Sequence, residues 1–233
     1  GSSLVGSEMC IRDRFMNEKT NAAFGAYEII KNSANINLGI GTGSTTNAFI
    51  ENNLSKIKDH INMVFSSSEK STALMRKYGF KVEDGAPDFK LDFYVDGADE
   101  FDQNKCLIKG GGGAHTKEKV LASSSKCFIC IADSTKRVEQ LGAFPLPIEV
   151  IPFAKDSVLH ALGEYSENII QRDFITDSGN IILDLHGVDL RSPKEIETKL
   201  NLIPGVVDNG IFAHHVPRYI VVGNSEGYEL IES

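Results

Sequence analysis

At 233 residues the chain is long enough to bury a sizeable core and to hold one large domain or two small ones. With 41% hydrophobic and 24% charged residues it has the composition of a globular polypeptide, and no window approaches the apolar run that a membrane span needs. A formal net charge of -8 argues against nucleic acid as a partner, because a phosphate backbone demands clustered Lys and Arg, whereas a small anion needs only local positive potential.

Residues 1–14 contain no apolar core of signal-peptide length, so a cytoplasmic location is expected, with residues 1–15 a non-native or disordered leader. Residues 17–31 carry Ala22, Ala23, Phe24, Ala26, Tyr27, Ile29 and Ile30 at helical spacing and predict an amphipathic helix. A short strand predicted at 36–40 runs into GIGTGSTTNAFI (39–50), a strand, glycine turn and helix start. Here the glycines leave backbone N–H groups facing an anion, Ser44 and Thr45 add hydroxyls, and the helix points its positive end at the same spot. Gly39, Gly41 and Ser44 nearly match a dinucleotide fingerprint, which makes a nicotinamide dehydrogenase the rival reading. That fingerprint wants an acidic residue at the end of the second strand, but the strand predicted at 63–65 ends in Ser66, Ser67 and Ser68. These hydroxyls suit a sugar or phosphate, or else an N-cap cluster for the helix predicted at 69–78. Further strands are predicted at 81–83 and 92–95, joined by a turn-rich bridge at 84–88.

The most informative stretch is FYVDGADEFDQNKCLIKGGGGAHTKEK (93–119). One apolar run delivers Asp96 and Asp99 into a Gly-containing turn, and a second, 106–108, delivers Lys109 into four consecutive glycines. The ends of strands in an open α/β sheet form the crevice where such folds bind ligands. Four glycines supply no side chain to a core, so the turn that keeps them needs φ > 0 or close approach of backbone to a ligand, and its N–H groups make an anion nest. A helix predicted at 114–125 then places Glu118 near the nest, a general base beside the electrophile Lys109. His115 adjoins the glycines, and a solvated loop histidine is expected there. The strand predicted at 128–132 ends in ADSTK, which brings Lys136 to the same rim.

Cys127 and Cys130 form a C-x-x-C inside the apolar run CFICIA, and positions three apart on a strand point to opposite faces, so neither a bridge nor a shared metal is expected. No histidine spacing resembles a ligand set, and neither metal nor cofactor is expected. Strand and helix alternate down to residue 141, which argues for a mostly parallel, Rossmann-like α/β sheet with helices on both faces. Beyond it the predicted order is strand 147–151, helix 154–165, strands 168–175 and 181–185, helix 193–201 and strand 206–212. That is the β-α-β-β-α-β pattern of a ferredoxin-like α+β domain. The apolar strand 219–223 is expected to return to the first sheet. The domain expectation is therefore 16–141 with 216–233 as the catalytic α/β domain and 142–215 as the smaller one.

The blocks VDGADEFD (95–102), IKGGGGAHTKEK (108–119), FICIADSTK (128–136) and FPLPIEVIPFA (144–154) resemble, in order and spacing, the signature blocks of type A ribose-5-phosphate isomerases. The likeness runs from about residue 36 to the C-terminus. It implies an aldose–ketose isomerase acting on ribose 5-phosphate and ribulose 5-phosphate in the non-oxidative pentose phosphate pathway, and a homodimer. It also implies Glu118 as the base, Lys109 as partner of the enediolate, and Asp96 and Asp99 as holders of the sugar hydroxyls, one of them assisting ring opening. The turn Thr42, Gly43, Ser44 and Thr45 would bind the phosphate end, with Gly97, Ala98, Gly110, Gly111, Gly112 and Lys136 completing the substrate site. The chain departs from the family pattern at Gly113, where Ala is frequent, at His115, which replaces an apolar residue, and at Asn21, where some relatives place a Lys that Lys19 would replace. A sugar-phosphate-sensing module would share the fold and the phosphate loop but would need no base at Glu118.

Overall fold

The computed structural model describes residues 17–232, so the expected leader lies outside the described residues. The Asn17 side chain accepts from the Thr20 N–H and caps α1 (Glu18–Ile30). Then come β1 (Ile36–Ile40), α2 (Ser44–Asn52), a 3-10 segment Leu54–His60, β2 (Ile61–Ser66), α3 (Glu69–Lys77) and β3 (Leu91–Asp96). Two short strands, β4 (Glu100–Phe101) and β5 (Leu107–Ile108), precede α4 (His115–Ser123) and β6 (Ser125–Asp133). The second half holds β7 (Leu146–Val150), α5 (Lys155–Leu162), β8 (Asn168–Ile175), β9 (Ile181–His186), α6 (Pro193–Asn201) and β10 (Val206–Asn209). It continues through β11 (Ile211–Phe212), β12 (Tyr219–Gly223) and β13 (Tyr228–Glu232).

The main sheet runs β13-β12-β6-β3-β1-β2, parallel throughout except for the antiparallel pair β12–β13. Apolar side chains alternate across its strands and feed two cores. One packs Ala22, Ala26, Phe49 and Met75 of α1, α2 and α3 against Leu38, Ile129 and Ile131, and the other packs Leu121 and Ala122 of α4 against Tyr94, Phe128 and Cys130. Cys127 belongs to the first core and Cys130 to the second, so the C-x-x-C thiols do face opposite ways.

The smaller sheet is antiparallel in the order β10-β7-β9-β8, which is the ferredoxin-like arrangement, and Val158, Leu162 and Leu200 of α5 and α6 fill its core. Two strand expectations change. Residues 81–83 make a single bridge, Val64 with Val82, instead of a strand. The single strand expected over 206–212 divides at Gly210, where a Cβ would lie 2.4 Å from the Lys109 carbonyl oxygen. On one side β10 pairs with β7; on the other β11 pairs with β5 in a three-stranded sheet, β11-β5-β4. One extended segment thus links the smaller sheet to the strand that delivers Lys109. The edge strand β13 carries no period-2 alternation and was not expected.

Candidate active site

In the main sheet the chain leaves β1 toward β2 on one side, while β3 lies on the other, so strand order reverses between β1 and β3. The C-terminal ends of adjacent parallel strands at such a switch point diverge and leave a crevice. The ends of β1, β3 and β6 carry Gly41–Thr45, Asp96–Asp99 and Asp133–Lys136, and they border a cavity of about 130 Å³. Thr42, Gly43, Ser44, Thr45, Gly97, Ala98, Asp99, Lys109, Gly110, Gly111, Gly112, Glu118 and Lys136 all line it.

Asp96 is the exception among the expected site residues. It is fully buried, and its Oδ1 accepts the Thr42 N–H at 2.9 Å, the Gly97 N–H at 2.7 Å and the Thr46 hydroxyl at 3.4 Å. Its Oδ2 accepts the Tyr94 hydroxyl at 2.5 Å and pairs with Lys109 Nζ at 2.7 Å. With both oxygens occupied by protein donors, Asp96 braces the two turns from beneath the cavity and is not placed to hold a sugar hydroxyl. Gly41 is required above it, since a Cβ there would fall 1.8 Å from the Asp96 Cγ.

Lys109 Nζ bridges Asp96, the Gly97 carbonyl at 2.5 Å and Glu118 Oε2 at 3.0 Å, all inside a protein environment that leaves the lysine 2% exposed. Burial works against its ammonium, but the Asp96 and Glu118 carboxylates outweigh it and hold the pKa above the ordinary lysine value. Glu118 responds in the opposite sense. Burial and the nearby Asp96 charge raise its carboxyl from 4.5 to about 8 against the pull of Lys109. One ammonium stands between two buried carboxylates, and Asp96 has five donors whereas Glu118 Oε2 has only the approach of Lys109.

Glu118 Oε2, although 3.0 Å from Lys109 Nζ, makes no hydrogen bond and retains lone pairs for a proton. It stands in the first turn of α4, just past the glycine run. Gly110 and Gly113 have φ of +107° and +77°, and Gly111 donates its N–H to Asp99 Oδ2 at 2.8 Å. At the α2 end of the cavity the N-cap is Gly43, with φ of +127° and no side-chain cap, so the first amides of α2 have no side-chain acceptor.

Lys19 reaches the same end from α1, its Nζ donating to Ser44 Oγ at 2.8 Å. The reason is a close helix–strand approach at Gly223, where a Cβ would fall 1.7 Å from the Glu18 carbonyl oxygen. Asn21 points its side-chain amide elsewhere, donating to the Asn224 carbonyl at 2.7 Å. Asp133 also lines the cavity, and the strand-end position that brought Lys136 to the rim was the signal for it. Tyr94 had a signal too, lying two residues before Asp96 on the same strand face.

Ser67 bonds Thr42 Oγ1 at 2.8 Å and Ser68 caps α3 through the Ser71 N–H, so the serine cluster is scaffold and does not line the cavity. His115 is not a solvated loop residue. It is fully buried with neither ring nitrogen bonded, and burial, helped by the Lys119 charge, pushes it down to about 3, so a neutral imidazole fills the apolar position. Lys119 turns away from the cavity, its Nζ 2.7 Å from Asp208 Oδ1 and 3.2 Å from Glu197 Oε1, and ties α4 to β10 and α6. Among the described residues no three His, Cys, Asp or Glu side chains gather in a way that could hold a metal ion, and no helix is long and apolar enough to cross a membrane. A larger groove of about 770 Å³ runs past Phe101, Arg137 and Glu229, but its Arg137–Glu229 pair is satisfied at 2.9 Å and it holds no base beside a glycine turn.

Fold and site together define an α/β protein whose switch-point cavity joins an uncapped helix N-terminus to a buried Lys–Glu pair. Residues 63–227 match the family described as ribose 5-phosphate isomerase A (phosphoriboisomerase A), and the chain belongs to that family. It is 46% identical over 221 residues to ribose-5-phosphate isomerase A of Haemophilus influenzae, covering 92% of this chain and 97% of the relative. Among solved structures it is similar to ribose 5-phosphate isomerase A from Neisseria gonorrhoeae, with 40% identity, a TM-score of 0.87 and coverage of 92% and 95% of the two chains. It is also similar to a D-ribose-5-phosphate isomerase in complex with phospho-erythronic acid, at 34% identity, a TM-score of 0.86 and coverage of 93% and 98%.

Proposed function

We propose that the chain interconverts D-ribose 5-phosphate and D-ribulose 5-phosphate through an enediolate, in the non-oxidative pentose phosphate pathway. The observation that carries this reading is the buried Glu118 carboxyl, held 3.0 Å from the Lys109 ammonium in a cavity that also opens onto the N-terminus of α2. The phosphate lies against the Gly43–Thr45 amides and hydroxyls, with Lys19 and Lys136 beside it. Asp99, turned by the Gly111 N–H, offers its remaining oxygen to the sugar hydroxyls and to ring opening.

Glu118 takes the proton from C2 of the open aldose as the C–H pair becomes the C1–C2 double bond and the carbonyl pair moves onto O1. Lys109 and the glycine-turn amides oppose the charge that develops on the oxygens. The O2–H proton then passes to O1, and the protonated Glu118 delivers its proton to C1 as the C1–C2 double-bond pair becomes the new C1–H bond and the O2 pair closes the C2 carbonyl. A carboxyl raised toward neutrality suits both halves of this exchange. Phospho-erythronic acid, named with one of the related structures, carries a carboxylate whose two oxygens resemble those of the enediolate, and we take it as a ligand of this cavity too.

By family resemblance we read the protein as a cytoplasmic homodimer without nucleic-acid or membrane partners, its smaller domain spanning 142–215. An isomerase assay on ribose 5-phosphate, with and without exhaustive chelation, tests the activity. Equal turnover in both is expected. No turnover in either, or turnover restored only by a divalent metal, refutes the reading.

A further inference from the structure

The glycine turn is gripped from outside the cavity by the smaller sheet. Arg172 of β8 donates from Nε and Nη2 to the two oxygens of Asp184 on β9, at 2.8 and 2.6 Å. Its remaining arm, Nη1, donates to the Gly110 carbonyl at 2.8 Å and the Gly111 carbonyl at 3.2 Å. Phe174, two residues along β8, packs so close to Gly113 that a Cβ there would meet its ring at 2.4 Å.

In a trans peptide the C=O and the following N–H point in opposite directions. A cation that fixes the carbonyls of Gly110 and Gly111 therefore also aims the N–H groups of Gly111 and Gly112 away from itself. The Gly111 N–H goes to Asp99 Oδ2. The Gly112 N–H meets no protein acceptor among the described residues, and Gly112 lines the cavity. Within the turn only the Gly113 N–H bonds the Gly110 carbonyl, at 3.0 Å, and the Gly111 carbonyl is held from without by Arg172.

We propose that Arg172, held by Asp184, is a positioning residue that keeps the Gly111 amide on Asp99 and aims the Gly112 amide as a donor to the reacting end of the substrate. The Lys side chain would be a poor substitute, since it cannot engage Asp184 through a two-point fork and reach two carbonyls with a third donor. The proposal rests on the isomerase reading for its effect on turnover. It predicts that the grip matters more for the developing oxyanion than for the phosphate, which on this reading is held by the Gly43–Thr45 turn and the lysines.

The test compares Arg172→Ala, Arg172→Lys and Asp184→Asn with the unaltered protein for isomerase kcat and KM, for binding of phospho-erythronic acid and inorganic phosphate, and for thermal unfolding. Arg172→Ala should lower kcat by about 10- to 100-fold, less than the loss of a direct oxyanion donor. Its KM should stay within about threefold, because the ground-state contacts remain. Phospho-erythronic acid should bind more weakly by a similar factor to the fall in kcat, with inorganic phosphate within about twofold. Arg172→Lys and Asp184→Asn should fall between, and added guanidinium ion should restore part of kcat in Arg172→Ala only. If Arg172→Ala is not folded, Asp184→Asn carries the same comparison. Equal weakening of both ligands, or a kcat within about twofold of the parent, would overturn the proposal. The binding arms need no turnover, so an unaltered protein inactive on ribose 5-phosphate would refute the isomerase reading and leave these arms to decide on the grip.

Discussion

Replacing Glu118 by Gln removes the base while keeping its shape, and the structure assigns opposite signs to the effects on turnover and on stability. A positioned base is worth about 10²- to 10⁴-fold, or roughly 3–5 kcal/mol of barrier, so kcat should collapse by that factor. Affinity for phospho-erythronic acid should change less, within about tenfold or ~1.4 kcal/mol, because Lys109, Asp99 and the phosphate end remain. Stability should move the other way. For an acid whose folded pKa lies above its unfolded one, the native state holds the proton more tightly, and stability is lost as pH rises from the unfolded to the folded value. For Glu118 that window runs from 4.5 to about 8, a ceiling of ~5 kcal/mol at 1.36 kcal/mol per tenfold. Water in the open cavity reduces it, and a gain of about 1–3 kcal/mol is expected for Glu118→Gln at pH 8.5, vanishing near pH 4. The assay is urea unfolding of both proteins at several pH values, alongside kcat and the pH profile of kcat/KM. That profile should rise through the Glu118 pKa well above the ordinary carboxylate range. A stability difference that does not grow with pH, or near-parental turnover in the variant, would refute the placement of a raised, proton-carrying carboxyl here.

Three further outcomes follow from the geometry. Lys19→Ala should raise KM for ribose 5-phosphate by about 5- to 30-fold with kcat within about twofold, since one partly exposed charge-assisted contact to phosphate is lost; an unchanged KM would place the phosphate elsewhere. Gly41→Ala drives a Cβ to within 1.8 Å of the Asp96 carboxyl and should cost more than ~3 kcal/mol in denaturant unfolding, with activity lost as well. Lys119→Met leaves Glu197 and Asp208 buried without their cation and should cost about 3–5 kcal/mol, part of it recovered by adding Asp208→Asn; a loss below ~1 kcal/mol would show the network to be unimportant.

Much of this protein is written in local order. Apolar runs alternating with helical periodicity, bounded by glycine turns, are enough to define a parallel α/β sheet. The β-α-β-β-α-β rhythm after residue 141 is enough for the smaller antiparallel one, because both patterns are local consequences of backbone geometry. The strand-end position of Asp99, Lys109 and Lys136, and the glycines at 41, 43 and 110–113, are likewise legible, since turns need particular residues at particular places.

What the chain could not reveal was which of two similar carboxylates is taken up by protein donors and which is left to the cavity. Asp96 and Asp99 stand three residues apart in one turn, yet only the folded protein brings Tyr94, Thr46 and Lys109 to Asp96 and leaves Asp99 facing the cavity. Burial of His115, the reach of Lys19 from α1, and the hold of Arg172 on the glycine turn across 62 residues of chain are equally tertiary. Each depends on solvent exclusion and on distances between segments far apart in sequence, and neither quantity exists until the two sheets have packed.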